Sequence, residues 1–171
     1  MYNDWMKDLS DSMRAILSIT DTVLPRLITG TIHSIEKSED AILLKLDTLS
    51  GVDYIREDET GLQGIASRVQ WGNDWSTFTI RSARHTGSKT ELEKRLEQIE
   101  NGYFYPAFTM QAYFDSRESN NPLSVGTVKT KYLYDFIVNN PEKVNTRKSD
   151  NEFIYVKWSD IQDSMKIWRA K

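Results

Sequence analysis

Two neighbouring runs of period-two alternation limit this chain more than any other feature. From Leu62 to Trp71, Ile65, Ser67, Val69 and Trp71 fall on one side, and Ala66, Arg68 and Gln70 on the other. From Trp75 to Ser82, Thr77, Thr79 and Arg81 alternate with Phe78 and Ile80. That period belongs to a strand, whose successive side chains point to opposite faces, and a helix cannot satisfy it. Gly72-Asn73-Asp74 supplies turn chemistry between the runs. The period then changes. Thr90-Glu91-Leu92-Glu93 is a capping box, Leu92, Leu96 and Ile99 form a helical stripe, and Asn101-Gly102 ends it. A sheet with at least one flanking helix is therefore required.

The remaining chain extends this pattern. Asp4 to Ser18 reads as an amphipathic helix with Trp5, Leu9, Met13, Ile16 and Leu17 on its apolar stripe, ending before Pro25. Leu27 to Lys37 and Ala41 to Leu46 read as a hairpin around Ser38-Glu39-Asp40, and Val52 to Ile55 as a short strand before a charged turn at Arg56 to Gly61. Tyr103 to Asp115 and Leu123 to Lys129 return to strand, with a polar loop at Ser116 to Pro122. Thr130 is expected to cap a helix running to Asn139, ahead of Pro141. Glu142 to Asn151 reads as loop, Glu152 to Trp158 as a last strand, and Ser159-Asp160-Ile161-Gln162 as the capped start of a closing helix. No repeat or linker divides the chain. The expected fold is mixed α/β (α+β): a single domain, 1–171, with a central mixed sheet flanked by helices.

Composition removes several function classes. With 171 residues, 39% of them hydrophobic, the chain can bury a sizeable core without staples. It contains no cysteine, which excludes disulfides, thiolate zinc sites and cysteine nucleophiles. Net charge is −3, unlike a general nucleic-acid coat protein, though a local basic groove is compatible with that total. No apolar run approaches a membrane span of about 20 residues, and acidic residues stand where a signal peptide would be basic and apolar. The expected location is cytoplasmic, with no membrane partner.

The order of a helix, three or so strands, a helix and a further strand, with Asp53 following Gly51-Val52, resembles the core of the PD-(D/E)XK nuclease-like superfamily. The resemblance covers roughly Asp4 to Phe114. It implies an Asp near one strand's end and an acidic-x-Lys on the next, binding a divalent metal, with the Lys positioning the attacking water. The run Gly64-Ile65-Ala66-Ser67-Arg68-Val69-Gln70 occupies the acidic-x-Lys position and has neither residue. Three options follow: a migrated site, Gln70 replacing an acidic ligand, or a fold kept without catalysis. In character the chain also resembles the compact, cysteine-free proteins of phages and mobile elements.

Two constellations carry the chemical expectations. Asp47 and Asp53, with Gln70, are the candidate catalytic residues, the two aspartates as ligands of Mg²⁺; they could equally end strands or cap turns. Arg68, Arg81, Arg84, His85 and Lys89 are the candidate phosphate or nucleic-acid contacts, because a small-residue loop entering a helix start presents free N–H groups to anions. The same charges also fit a solvated helix face balanced by Glu91, Glu93 and Glu97. Tyr103, Phe104, Tyr105, Phe108, Tyr113 and Phe114 could stack bases or pack a core. His33 and His85 fall in different segments, and no nucleophile motif accompanies either. The leading expectation is a nucleic-acid-directed protein of nuclease-like fold, cutting with Mg²⁺ or binding without cleavage. The alternative is a small non-enzymatic inhibitor of the phage type, binding a host protein through aromatic surfaces and acidic clusters at Glu36 to Asp40 and Glu57 to Glu59.

Overall fold

The computed structural model describes residues 2–35, 39–83, 87–147 and 152–171, without the side chains of residues 2–6, 8 and 9. Trp5 and Leu9 of the expected helical stripe thus lie outside the described side chains. Helix α1 (Tyr2–Thr20) buries Ala15, Ile16 and Ile19, whereas Leu17 is 44% exposed and does not join them. Pro25 sits at the first turn of a short helix α2 (Leu24–Leu27), where its missing N–H costs nothing.

Six strands form the main sheet: β1 (Thr31–Ser34), β2 (Tyr54–Asp58), β3 (Gly61–Trp71), β5 (Phe108–Phe114), β6 (Pro122–Lys129) and β9 (Met165–Arg169), in that spatial order. Their pairings are antiparallel except β3 with β5, which run parallel across the crossover containing helix α4 (Glu91–Glu100). The second sheet has the order β4 (Thr77–Arg81), β8 (Phe153–Lys157), β7 (Asn145–Arg147), all antiparallel. The mixed α/β architecture expected from the alternating periods is thereby shown.

The main sheet is covered on both faces. Ile65, Met110, Ala112, Phe114 and Val125 pack with α1 and α2. On the other face, Tyr113 and Val128 join Phe78 and Ile80 of β4, Ile154 and Val156 of β8, and Leu133, Tyr134 and Ile137 of α5 (Thr130–Asn139). Trp158 is set at the centre of this second core, 1% exposed, with its ring lying on Gly126.

Four local expectations are corrected. Ala41 to Leu46 is helical, as α3 (Ala41–Lys45), because Asp40 accepts hydrogen bonds from Ile42 N (2.8 Å) and Leu43 N (3.2 Å) and starts a helix. The chain continues into a π-helical turn, Leu46–Ser50. The closing helix is replaced by two 3₁₀ turns and β9, since the open edge of β6 offers a ladder to Met165–Arg169. Pairing along a sheet edge outweighs a local capping pattern that no buried helical face supports. Strand β7 lies inside the expected loop at Glu142 to Asn151. Finally, Thr130 does not cap α5: its hydroxyl bonds that of Thr109 (2.9 Å), and Lys129 occupies the cap position.

Candidate functional site

The acidic residues are placed in separate environments. Asp47 belongs to the π-helical turn, whose carbonyls are held by α4: Lys94 donates to Thr48 O (3.1 Å), Arg95 to Ser50 O (2.7 Å) and Gln98 to Leu49 O (3.2 Å). Burial pushes the Asp47 carboxyl up from its ordinary value, and Lys94 opposes that shift. Asp53 precedes β2, and its carboxylate accepts from the Ser67 N–H and from the Ser67 hydroxyl (2.9 Å), tying β3 to the chain entering β2. Gln70 donates from Nε2 to Thr79 Oγ1 at 3.5 Å, while its Oε1 is buried without a partner among the described residues. Among the described residues no group of three or more His, Asp or Glu side chains converges on a possible metal position.

The basic residues divide as well. Arg68 and Arg81 come together, their guanidinium carbons 5.6 and 5.5 Å from the centre of the Phe153 ring. Glu91, in the first turn of α4, accepts from the Arg68 guanidinium and from the Arg81 N–H (3.4 Å). Lys89 instead pairs with Glu97 on an exposed helix face (2.5 Å). The start of α4 is occupied by its own capping box: the Glu93 carboxylate accepts from Thr90 N (2.8 Å), and the Thr90 hydroxyl accepts from Glu93 N (3.2 Å). Arg84 and His85 lie outside the described residues.

The other expected surfaces separate in the same way. Tyr113 and Phe114 are core, whereas Tyr103 and Phe104 are 60% and 49% exposed. Of the acidic cluster at 57–59, Glu57 meets His33 (3.3 Å) and Asp58 meets the Arg56 guanidinium. Glu36 to Ser38 lie outside the described residues.

A cavity of about 940 Å³ opens between β3, the second sheet and the 3₁₀ turns after Trp158. Among the described residues its lining includes four cations, Arg68, Arg147, Lys157 and Arg169, and no carboxylate. The strand register explains this. Residues directly opposite in an antiparallel pair share a face, so Arg81, Phe153 and Arg147 form one row across the second sheet. Thr79, Tyr155 and Asn145 form the next row, and Thr77 and Lys157 the third. The alternate residues Ile154 and Val156 point into the core. Period two within Glu152 to Trp158 is the local signal that sets Phe153, Tyr155 and Lys157 apart from the buried positions. Which strands would flank them carried no local signal.

One edge of the cavity is a braced turn. Asp74 Oδ1 accepts from Ser76 N (2.8 Å) and Ser76 Oγ (3.0 Å), and Asp74 Oδ2 accepts from Arg169 (2.6 Å). Ser76 adopts a left-handed φ of 48° and accepts from Trp158 N (2.8 Å). Between them, Trp75 is 58% exposed. Burial alone would raise the Asp74 carboxyl, but the nearby Ser124 hydroxyl, the hydrogen bonds from Ser76 and the Arg169 charge outweigh it and hold Asp74 below the ordinary 3.8. A carboxyl lowered in the folded state stabilises the fold above its unfolded pKa, and that gain disappears as pH falls through the folded pKa. Thermal melts of the chain and of Asp74→Asn should therefore differ at pH 6 and converge below about pH 4, where aspartates protonate. A difference independent of pH would contradict this.

Compared with known proteins, the chain matches no protein-family model and no curated protein.

Proposed function

We propose that this protein binds nucleic acid in the groove between β3 and the second sheet, contacting phosphates and leaving the strand uncut. One observation carries the reading: among the described residues the groove lining holds four cations and no carboxylate, although the chain as a whole carries net charge −3. Two of those cations, Arg147 and Lys157, lack among the described residues the carboxylate partners that Arg68 and Arg169 have in Glu91 and Asp74. A concave surface of one sign between low-dielectric walls concentrates the field and attracts a polyanion. The order α1, β1–β3, α4, β5, with α2, α3, the π-helical turn and β4 interposed, is compatible with a resemblance to nuclease-like proteins. The Asp53 carboxylate meets β3 at Ser67, within the run where acidic-x-Lys would stand.

The residues present do not fit the Mg²⁺ site of such a nuclease. That ion needs hard oxygen ligands in near-octahedral geometry. Asp53 is engaged by Ser67, Asp47 stands beside Lys94, and Gln70 contributes one neutral oxygen. Binding is consequently the reading that the geometry favours over scission.

Fluorescence anisotropy with labelled DNA and RNA oligonucleotides, over a range of salt, tests it. The logarithm of the affinity should fall linearly with log salt, by about 0.7 per phosphate contact on single strands or about 0.9 on duplex. The same oligonucleotides incubated with the protein and Mg²⁺ should remain intact. Absence of salt-sensitive binding to every nucleic acid offered would overturn the proposal.

A further inference from the structure

We infer that the groove takes single-stranded nucleic acid, with bases stacked on Trp75 and Tyr155; this rests on the binding reading above. The four aromatic rings that line it are not equivalent. Phe153 already carries the guanidinium groups of Arg68 and Arg81. Trp158 is buried among Phe78, Tyr113 and Arg169. Trp75 and Tyr155 remain, and among the described residues neither has an aromatic or cationic partner over its ring.

Trp75 is held where it is. The Asp74–Arg169 pair and the strained Ser76 conformation fix the turn, so the large Trp75 ring is kept in water at the groove's edge. Backbone strain of this kind persists where surrounding structure enforces it, and such positions cluster at ligand sites. Tyr155 stands two residues from Lys157 on the same strand face, about 6.6 Å along it. A ring and a cation thus alternate as base and phosphate do along a strand. Bases of a duplex are stacked on one another and offer no free face to a protein ring, whereas a single strand does. Among the described residues the groove wall also carries an unpartnered buried acceptor, Gln70 Oε1, and an unpartnered buried donor, Trp158 Nε1. Buried polar atoms of this kind are few in native interiors.

The test measures affinities of the full chain for labelled dT20, rU20 and a 20-base-pair duplex at one salt concentration, with Trp75→Ala and Tyr155→Ala alongside. The single strands should bind at least tenfold more tightly than the duplex. Each variant should lose about 10- to 100-fold on single strands, the range of a stacked base, with duplex affinity and the salt slope unchanged. Trp75→Phe, which keeps a ring, should recover most of the loss. Equal affinity for duplex and single strand would overturn this inference and leave the phosphate groove standing; so would variants that bind dT20 and rU20 like the parent. Loss of all salt-sensitive binding in the parent chain would instead overturn the groove itself. Trp75 is exposed at a turn, so Trp75→Ala keeps the test decisive even where Tyr155→Ala fails to fold.

Discussion

Trp158→Ala is expected to destabilise the fold by about 3–5 kcal/mol, the cost of removing a large aromatic from a packed core. The ring is 1% exposed, tilted against Phe78 (centroids 5.8 Å) and edge-on to Tyr113 (5.7 Å), and capped by the Arg169 guanidinium at 5.7 Å. It lies against the backbone of β6 at Gly126. A methyl group built there would meet ring atoms at 2.6 and 2.7 Å and the Met165 methyl at 2.9 Å. Gly126→Ala should therefore cost about 1–3 kcal/mol by overpacking. Combining Gly126→Ala with Trp158→Phe should cost less than the two separate losses summed, because the smaller ring vacates the space the methyl needs. Urea unfolding checks all three: the midpoint should fall without a change in slope for the single variants. A Trp158→Ala loss under about 1 kcal/mol would place the ring outside the core and refute the packing described.

Reversing the two unpaired groove cations, in Arg147→Glu with Lys157→Glu, should leave folding almost untouched and remove most of the binding. Both residues are exposed, and among the described residues neither has a carboxylate partner. Surface changes away from special features usually stay within about 0.5 kcal/mol. Two lost phosphate contacts on a single strand reduce the salt slope by about 1.4, or roughly 25-fold in affinity at 0.1 M salt. The repulsion of two new carboxylates adds to that loss. Lys89→Glu supplies the contrast, since Lys89 pairs with Glu97 and does not line the groove. Its affinity should change little. A larger effect at Lys89 than at Arg147 and Lys157 would move the anion site to the start of α4 and away from the groove.

These two experiments probe parts of the molecule that were unequally legible. The second core was half visible: the alternation at Phe78 and Ile80 identified one strand with an apolar face, and Glu152 to Trp158 and Thr130 to Asn139 were expected as strand and helix. Nothing in sequence indicated that Trp158 would be their centre, because its partners come from β4, β5, β6 and β9. The expected basic residues separate in space: Arg68 lines the groove, Arg81 shares the Phe153 ring with it, and Lys89 pairs with Glu97 of α4. Trp75, Arg147, Lys157 and Arg169 acquire meaning only when three separate stretches meet. The acidic pair was chosen by spacing along the chain, and spacing does not show that Ser67 binds Asp53 or that Lys94 faces Asp47.

Local sequence alone determined the elements whose signals lie within a few residues: the alternation of β3 and β4, the reciprocal capping box of α4, and the amphipathic course of α1. Tertiary structure decided everything that required a distant partner. The last strand is β9 and not a helix because β6 presents an open edge, and Leu46–Ser50 is a π-helical turn whose carbonyls are satisfied by α4. The groove exists because β3 faces a second sheet assembled from residues about 70 positions apart in the chain. Capping and periodicity act over one or two turns, so they are written where they act. A cavity, a strand edge and a shared field of charge arise only when the chain has closed on itself.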